Sequence, residues 1–364
     1  VTTRFTVEPT ARVEFGPGAV ENLPDFVADL GHTRAFVVTD AGLRAAGIVG
    51  RVAKILDAAG VEHEVYDDIS PNPTTVEVDR GAARARAFGT AAVIALGGGS
   101  PLDAAKAIAL GAGTGAPLIA VPTTSGTGAE TNGFGVIEDP VARRKVYLGD
   151  DSVRPRIAVL DPELTLGLPA PATAATGVDA LVHGVESLAS RGANPVSVAY
   201  AAQAVSLVGR WLPVAYRDGA DLEARSQLML GAHLAGQALT ISGLGLVHGI
   251  GHAITAHTGT PHGVALAAVL EEVLTFGAAE SAVAYEQVAR ALLVESTEDW
   301  TAAAIGAVRE LTGPLDVKRP LRGLGLDAGR LPAVAATALA DPVTSNSPRL
   351  PTEPEVLDLL RSVL

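Results

Sequence analysis

Two textures meet near Leu166-Gly-Leu-Pro169, and that change constrains the fold more than any other feature of the chain. Before it, short β-rich runs alternate with helical patterns. Ala35-Phe-Val-Val-Thr39, His63-Glu-Val-Tyr66, Ala92-Val-Ile-Ala-Leu96 and Leu118-Ile-Ala-Val121 read as strands. Helical spacing fills 47–59, 74–88 and 101–111 between them. Near-continuous apolar strands separated by helices predict a doubly wound parallel sheet. Arg4–Val7 and Arg12–Phe15, around a proline-containing turn, predict a β-hairpin ahead of it. Beyond residue 168, Ala/Leu/Val patterns at helical spacing run to the C-terminus, and prolines mark most of their ends. The expected division is 1–167, α/β, and 168–364, all-α.

Composition limits the function. The chain is 48% hydrophobic and 18% charged, enough apolar content for two large cores. Its net charge of −13 argues against a nucleic-acid partner and against anionic membrane surfaces. With no cysteine there is no disulfide, thiol nucleophile or thiolate metal site. Val1-Thr-Thr-Arg-Phe-Thr-Val alternates like a strand rather than a signal segment, and no long apolar run suggests a membrane span. A cytoplasmic enzyme is the expectation.

Strand 92–96 runs straight into Gly97-Gly98-Gly99-Ser100-Pro101-Leu-Asp103. Glycines let backbone approach a ligand closely. Ser100 suits an N-cap, Pro101 the first helical position and Asp103 the capping-box position. A helix N-terminus after a strand can receive a pyrophosphate, although the same residues also make a plain βα turn. The motif is not G-x-G-x-x-G. Pro122-Thr-Thr-Ser-Gly-Thr-Gly-Ala-Glu130 is either a second cofactor loop or a Ser/Thr/Gly surface loop. Asp40, after strand 35–39, can accept from an adenosine ribose and repel a 2′-phosphate, or simply cap the next helix.

Four of the eight histidines fall within 248–262: His248, His252, His257 and His262. His248 and His252 are an i, i+4 pair, as are Asp179 and His183, so each pair shares a helix face. One such pair is usually a surface hydrogen bond. Five histidines and an aspartate in two short windows point instead to a divalent transition metal held by imidazole and carboxylate. The metalloprotease pattern H-E-x-x-H is absent, because position 249 is Gly. A metal with an open position can polarise a carbonyl or hold an alkoxide.

Taken in order, these stretches resemble the iron-containing (group III) alcohol dehydrogenases, within the dehydroquinate synthase-like superfamily. The resemblance runs through Phe15-Gly-Pro-Gly18, Thr39-Asp40, Pro71-Asn-Pro-Thr74, Gly97…Lys106, Pro122…Glu130, Asp161-Pro-Glu-Leu-Thr165, Gly177…His183 and His248…Pro261-His-Gly263. It implies an N-terminal dinucleotide-binding domain, a C-terminal helical domain and an active site in the cleft between them. It implies metal ligation by Asp179, His183, His248 and His262, with His252 as a proton-relay or substrate-side residue. It places Gly97, Gly98, Gly99 and Ser100 at the pyrophosphate and Thr123, Thr124 and Thr127 along the cofactor, with Asn72, Asp103 and Lys145 nearby. Asp40 falls where an acid generally favours NAD(H). Fe(II) is the expected metal, with Zn(II) or Ni(II) also compatible. A homodimer is expected by the same resemblance.

The implied reaction is hydride transfer between nicotinamide and a small alcohol or aldehyde, with NADH preferred over NADPH. Glycerol dehydrogenases and maleylacetate reductases are neighbouring activities, and four protein ligands favour the alcohol dehydrogenase branch. A metal-dependent hydrolase or lyase would use the same ligands but has no use for the two glycine-rich and threonine-rich loops. A catalytically silent homologue would have no reason to keep four ligands together. Thr240 and Ile241 stand where many members carry Asn or other polar residues, and His252-Ala-Ile-Thr255 departs from the common His-Pro-Leu-Gly, so the substrate pocket is where inheritance is least secure. Lys318, Arg319 and Arg322 read as a solvated inter-helix loop, and His257 as surface or as support behind the metal.

Overall fold

The computed structural model describes residues 4–7, 11–141 and 144–364. It divides into two compact units, one of residues 11–167 and one of residues 168–364 together with 4–7, which the expected division had given to the first. The first holds strands β1 (Arg12–Phe15), β2 (Arg34–Val38), β3 (Glu62–Tyr66), β4 (Ala92–Gly97), β5 (Leu118–Pro122), β6 (Phe134–Asp139), β7 (Arg144–Gly149) and β8 (Ile157–Leu160). Its helices are α1 (Leu23–Asp29), α2 (Ala41–Ala45), α3 (Ile48–Ala58), α4 (Thr75–Phe88) and α5 (Gly99–Ala112).

Six strands form one parallel sheet in the order β1-β8-β5-β4-β2-β3. Val93, Ile94, Ala95 and Leu96 of β4 are buried on both faces, as their unbroken apolar run requires. One layer of core, including Phe36, Leu102 and Ile108, covers one face; another, including Leu56, Ile94 and Val121, covers the other. After β2 the chain pairs β3 on one side, then returns to place β4 on the other. The carboxyl ends of β2 and β4 therefore flank a topological switch point, where open α/β sheets bind their ligands.

The second unit is helical: α6 (Ala170–Ala189), α7 (Pro195–Arg217), α8 (Leu222–Ser242), α9 (Leu246–Thr258), α10 (His262–Phe276), α11 (Ala282–Ala291), α12 (Trp300–Thr312), α13 (Leu331–Ala340) and α14 (Glu353–Ser362). One continuous apolar core joins them. No single helix among the described residues is long and apolar enough to cross a membrane.

Three expectations need correction. Residues 4–7 form no strand, and β1 pairs in parallel with β8 instead of closing a hairpin; the proposed turn at 8–10 lies outside the described residues. The antiparallel pair β6–β7 and the strand β8 escaped the sequence reading; polar residues interrupt the first two, whereas β8 is an apolar run as short as 118–121 and carried the same signal. Finally, α5 begins at Gly99 with Gly98 as its N-cap, so Ser100 is not the cap. Gly97 makes this earlier start possible: its φ is 151°, and a Cβ there would lie 2.6 Å from Pro101. Ser100 Oγ instead accepts from the Asn72 backbone N–H at 3.3 Å. Asp103 forms no capping box: it pairs with Lys106 and accepts from the Val136 N–H, both at 3.0 Å.

Candidate metal centre and cofactor loops

Asp179 and His183 sit one turn apart on α6, a helix buried from Thr173 to Leu188 apart from Thr176. His248 and His252 repeat that spacing on α9, and His262 opens α10. Gly263 lets α10 start against α6, since a Cβ there would lie 1.9 Å from the Ala175 carbonyl oxygen. These placements converge three imidazoles on one oxygen. Asp179 Oδ1 is 3.2 Å from His183 Nε2, 3.5 Å from His248 Nε2 and 3.7 Å from His262 Nε2. Ligand atoms of Asp179, His248 and His262 all lie within 4.8 Å of one another.

Two atoms at the centre of this cluster, Asp179 Oδ1 and His248 Nε2, are buried and have no hydrogen-bond partner. Buried polar groups are normally paired, so these two call for an occupant. Hard carboxylate and borderline imidazole donors together suit a divalent transition metal. Electrostatics agree. Burial pushes the Asp179 carboxyl up, but His183, His262 and His248 outweigh it and hold it ionised, well below its usual range. Burial pushes His262 well below the ordinary imidazole range, with His252, His248 and His183 adding to the effect against Asp179. The neutral imidazole and ionised carboxylate are the ligating forms.

Two carboxylates missed by the sequence reading stand behind these histidines. Glu186 Oε2 is 2.7 Å from His248 Nδ1. The same carboxylate accepts from the backbone N–H groups of Gly245 at 3.0 Å and Val247 at 2.7 Å. It thus caps α9, whose own N-cap offers no side chain, from a neighbouring helix. Glu186 follows Asp179 by seven residues, two turns along the same face of α6, which is the signal that could have found it. Asp341 Oδ2 is 2.8 Å from His252 Nδ1, 89 positions away in sequence, with no local pattern to link them. The His252 ring stacks on His262 at 5.1 Å between centroids. His257 bonds Thr337 at 3.0 Å, tying α9 to α13.

In the first unit, Asp40 lies two residues beyond β2 and caps α2, accepting from the Leu43 N–H at 2.9 Å. Gly97 ends β4, Gly98 and Gly99 lead into α5, and Thr123, Thr124 and Thr127 follow β5, with the Thr123 N–H donating to Gly97 O at 2.9 Å. The two loops touch: a Cβ on Gly98 would meet Thr124 at 3.3 Å and one on Gly99 would meet Thr127 at 2.8 Å. Asn72, at φ 59°, accepts from Lys145 Nζ at 3.2 Å. Burial pushes the Lys145 ammonium below its usual range, against Glu138 and Asp103. The predicted cofactor residues thus gather at the carboxyl edge of the sheet. Lys318 and Arg319, by contrast, pair with Glu272 and Asp316 on the surface.

Residues 9–162 match the family described as iron-containing alcohol dehydrogenase, and 173–364 its C-terminal family. Lactaldehyde reductase of Escherichia coli strain K12 is 35% identical over 95% of this chain and 96% of its own length. The NAD-dependent methanol dehydrogenase of Bacillus methanolicus is 31% identical over 100% of both chains. A crystal structure of 1,3-propanediol oxidoreductase covers 100% of both chains with a TM-score of 0.94 at 32% identity.

Proposed function

The chain belongs to the iron-containing alcohol dehydrogenase family and is an oxidoreductase acting on alcohols, and we propose that it is a metal-dependent, NAD(H)-linked alcohol dehydrogenase or aldehyde reductase for small substrates. The observation that carries metal dependence is the convergence of three imidazole nitrogens on Asp179 Oδ1, with two of those buried atoms unpaired. Asp179, His183, His248 and His262 would hold the ion, with Fe(II) the first choice and Zn(II) or Ni(II) compatible. When bound, the nicotinamide supplies hydride chemistry and the metal supplies Lewis acidity.

This chain's residues supply the rest. Glu186 fixes His248 so that Nε2 faces Asp179. Asp341 fixes His252 through Nδ1, leaving Nε2 to pass the hydroxyl proton. Gly97, Gly98, Gly99 and Ser100 form the turn into α5 and would meet a pyrophosphate at the helix N-terminus. Thr123, Thr124 and Thr127 line the nicotinamide side, while Asn72, Asp103 and Lys145 support the loop. Asp40 accepts from the ribose and disfavours a 2′-phosphate, giving the NADH preference. The names of relatives acting on lactaldehyde, methanol and propanediol support a short alcohol or aldehyde as substrate. Half-exposed Val13 and Phe15 on the edge strand β1 support a homodimer.

The test is NADH oxidation by anaerobically Fe(II)-loaded protein with short-chain aldehydes, against the metal-free protein and against NADPH. Turnover only with metal, and faster with NADH, is expected. In His262→Ala, metal retention is lost; full activity with bound metal in that variant would remove His262 from the ligand set.

A further inference from the structure

The carboxyl ends of β2 and β3 carry more charge than the cofactor reading uses. The Thr39 N–H donates to Tyr66 O at 2.9 Å, and Asp40 and Asp68 form an antiparallel bridge just beyond, so the two strand ends lie side by side. Around them stand three carboxylates, Asp40, Asp67 and Asp68, and two guanidinium groups, Arg44 and Arg80. Arg80 of α4 pairs with Asp68 at 2.8 Å. Arg44 belongs to α2, the helix that Asp40 caps, and its backbone N–H donates to Asp40 O at 3.2 Å. Its side-chain Nε bonds Asp67 Oδ2. From Asp40 to Arg44 the helix rises about 6 Å, a span an arginine side chain covers, and helical side chains lean toward the N-terminus, which here is Asp40. A phosphate on the ribose that Asp40 would receive therefore falls within reach of Arg44, and Asp67 already occupies that guanidinium.

Resting on the reading of Asp40 as the ribose acceptor, we propose that Asp67 is a second determinant of cofactor choice, acting through Arg44. Asp40 discriminates directly, by setting its charge against a 2′-phosphate. Asp67 discriminates indirectly, by neutralising the guanidinium that the phosphate would otherwise use. Arginine holds phosphate through paired N–H groups, and a carboxylate competes for the same fork. With all three acids in place the group carries one net negative charge, so an anionic phosphate entering it gains no attraction. Deleting the Asp40 charge leaves the group neutral. Deleting the Asp67 charge as well leaves Arg44 unpaired and the group net positive. Arg44 and Asp67 are 53% and 32% exposed, so separating them costs the fold little.

The test is equilibrium binding of NAD+ and NADP+ to the full-length protein with no substrate present, so turnover does not enter. The wild type should prefer NAD+. Relative to NAD+, NADP+ should bind Asp40→Ser/Asp67→Asn about fivefold better than it binds Asp40→Ser, the worth of one hydrogen-bonded partner. Adding Arg44→Gln should remove that gain, and Asp67→Glu in place of Asp67→Asn should return the ratio to that of Asp40→Ser. The gain should shrink between about 50 mM and about 500 mM salt, as an exposed charge contact does. Equal ratios with and without Asp67→Asn, or a gain that survives Arg44→Gln, overturn the proposal and leave the cofactor reading intact. A wild type that does not bind NAD+, or does not prefer it, overturns the cofactor reading and the proposal with it.

Discussion

Replacing Glu186 by Gln removes one negative charge and changes little volume. In the native protein its carboxylate receives three donors: His248 Nδ1 at 2.7 Å, Val247 N–H at 2.7 Å and Gly245 N–H at 3.0 Å. A glutamine keeps one acceptor oxygen and presents an NH2 in place of the other. With its oxygen in the Oε2 place it still accepts from His248 Nδ1 and Gly245, but its NH2 then faces the Val247 N–H and the bond to Nδ1 is no longer charge-assisted. With the NH2 in that place, His248 loses the bond, or moves its proton to Nε2 and blocks the ligating lone pair. A hydrogen bond to a charged group contributes about 1.5–3 kcal/mol, and loss of a carboxylate behind a metal-ligating imidazole costs about 10–100-fold in metal affinity. The helix cap adds at most about 1 kcal/mol of lost stability, or a fall of about 2–4 °C in Tm for a unit of this size. The assay is an anaerobic chelator-competition titration of Fe(II) or Co(II), with Tm of the metal-free protein alongside. Affinity reduced about 10–100-fold with a small change in Tm is expected. Affinity within about twofold of wild type, with Tm lowered by several degrees, would leave Glu186 as a helix cap only and refute the argument.

Two further outcomes follow from the charges. In the metal-free protein, burial works against the His248 imidazolium, but Asp179 and Glu186 outweigh it and raise its pKa to about 9. A raised pKa means the ring holds its proton at pH 7, and an ion at Nε2 must displace it. Metal loading at pH 7 should therefore release about one proton, measurable by pH-stat, and apparent affinity should fall about tenfold for each unit below pH 9; pH-independent affinity across that range would refute the coupling. Asp40→Ser keeps a good N-cap for α2 and deletes the charge, so Tm should hold while the NADPH-to-NADH ratio of kcat/KM rises about tenfold or more, and an unchanged ratio removes Asp40 from cofactor choice.

What the sequence disclosed and what it hid differ by range. The strands β2, β4 and β5 were legible because a strand buried on both faces must be apolar throughout, and such runs stand out. The ligand pairs Asp179/His183 and His248/His252 were legible because an α-helix turns i and i+4 to one side. The capping of α5 was misread for a local reason: Gly97 adopts a φ that lets the helix begin before the serine that looked like its cap. Glu186 and Asp341 were hidden for a non-local one. Their partners lie 62 and 89 residues away, and neither separation has a period that a helix or strand would impose. Yet Glu186 was half visible, since the Asp179 face of α6 recurs at the seventh residue, and a buried carboxylate on that face needs a donor. A metal site can thus be read from its ligands along the chain, whereas the groups that orient those ligands emerge only when helices pack, because the requirement they satisfy is an unpaired imidazole N–H created by that packing.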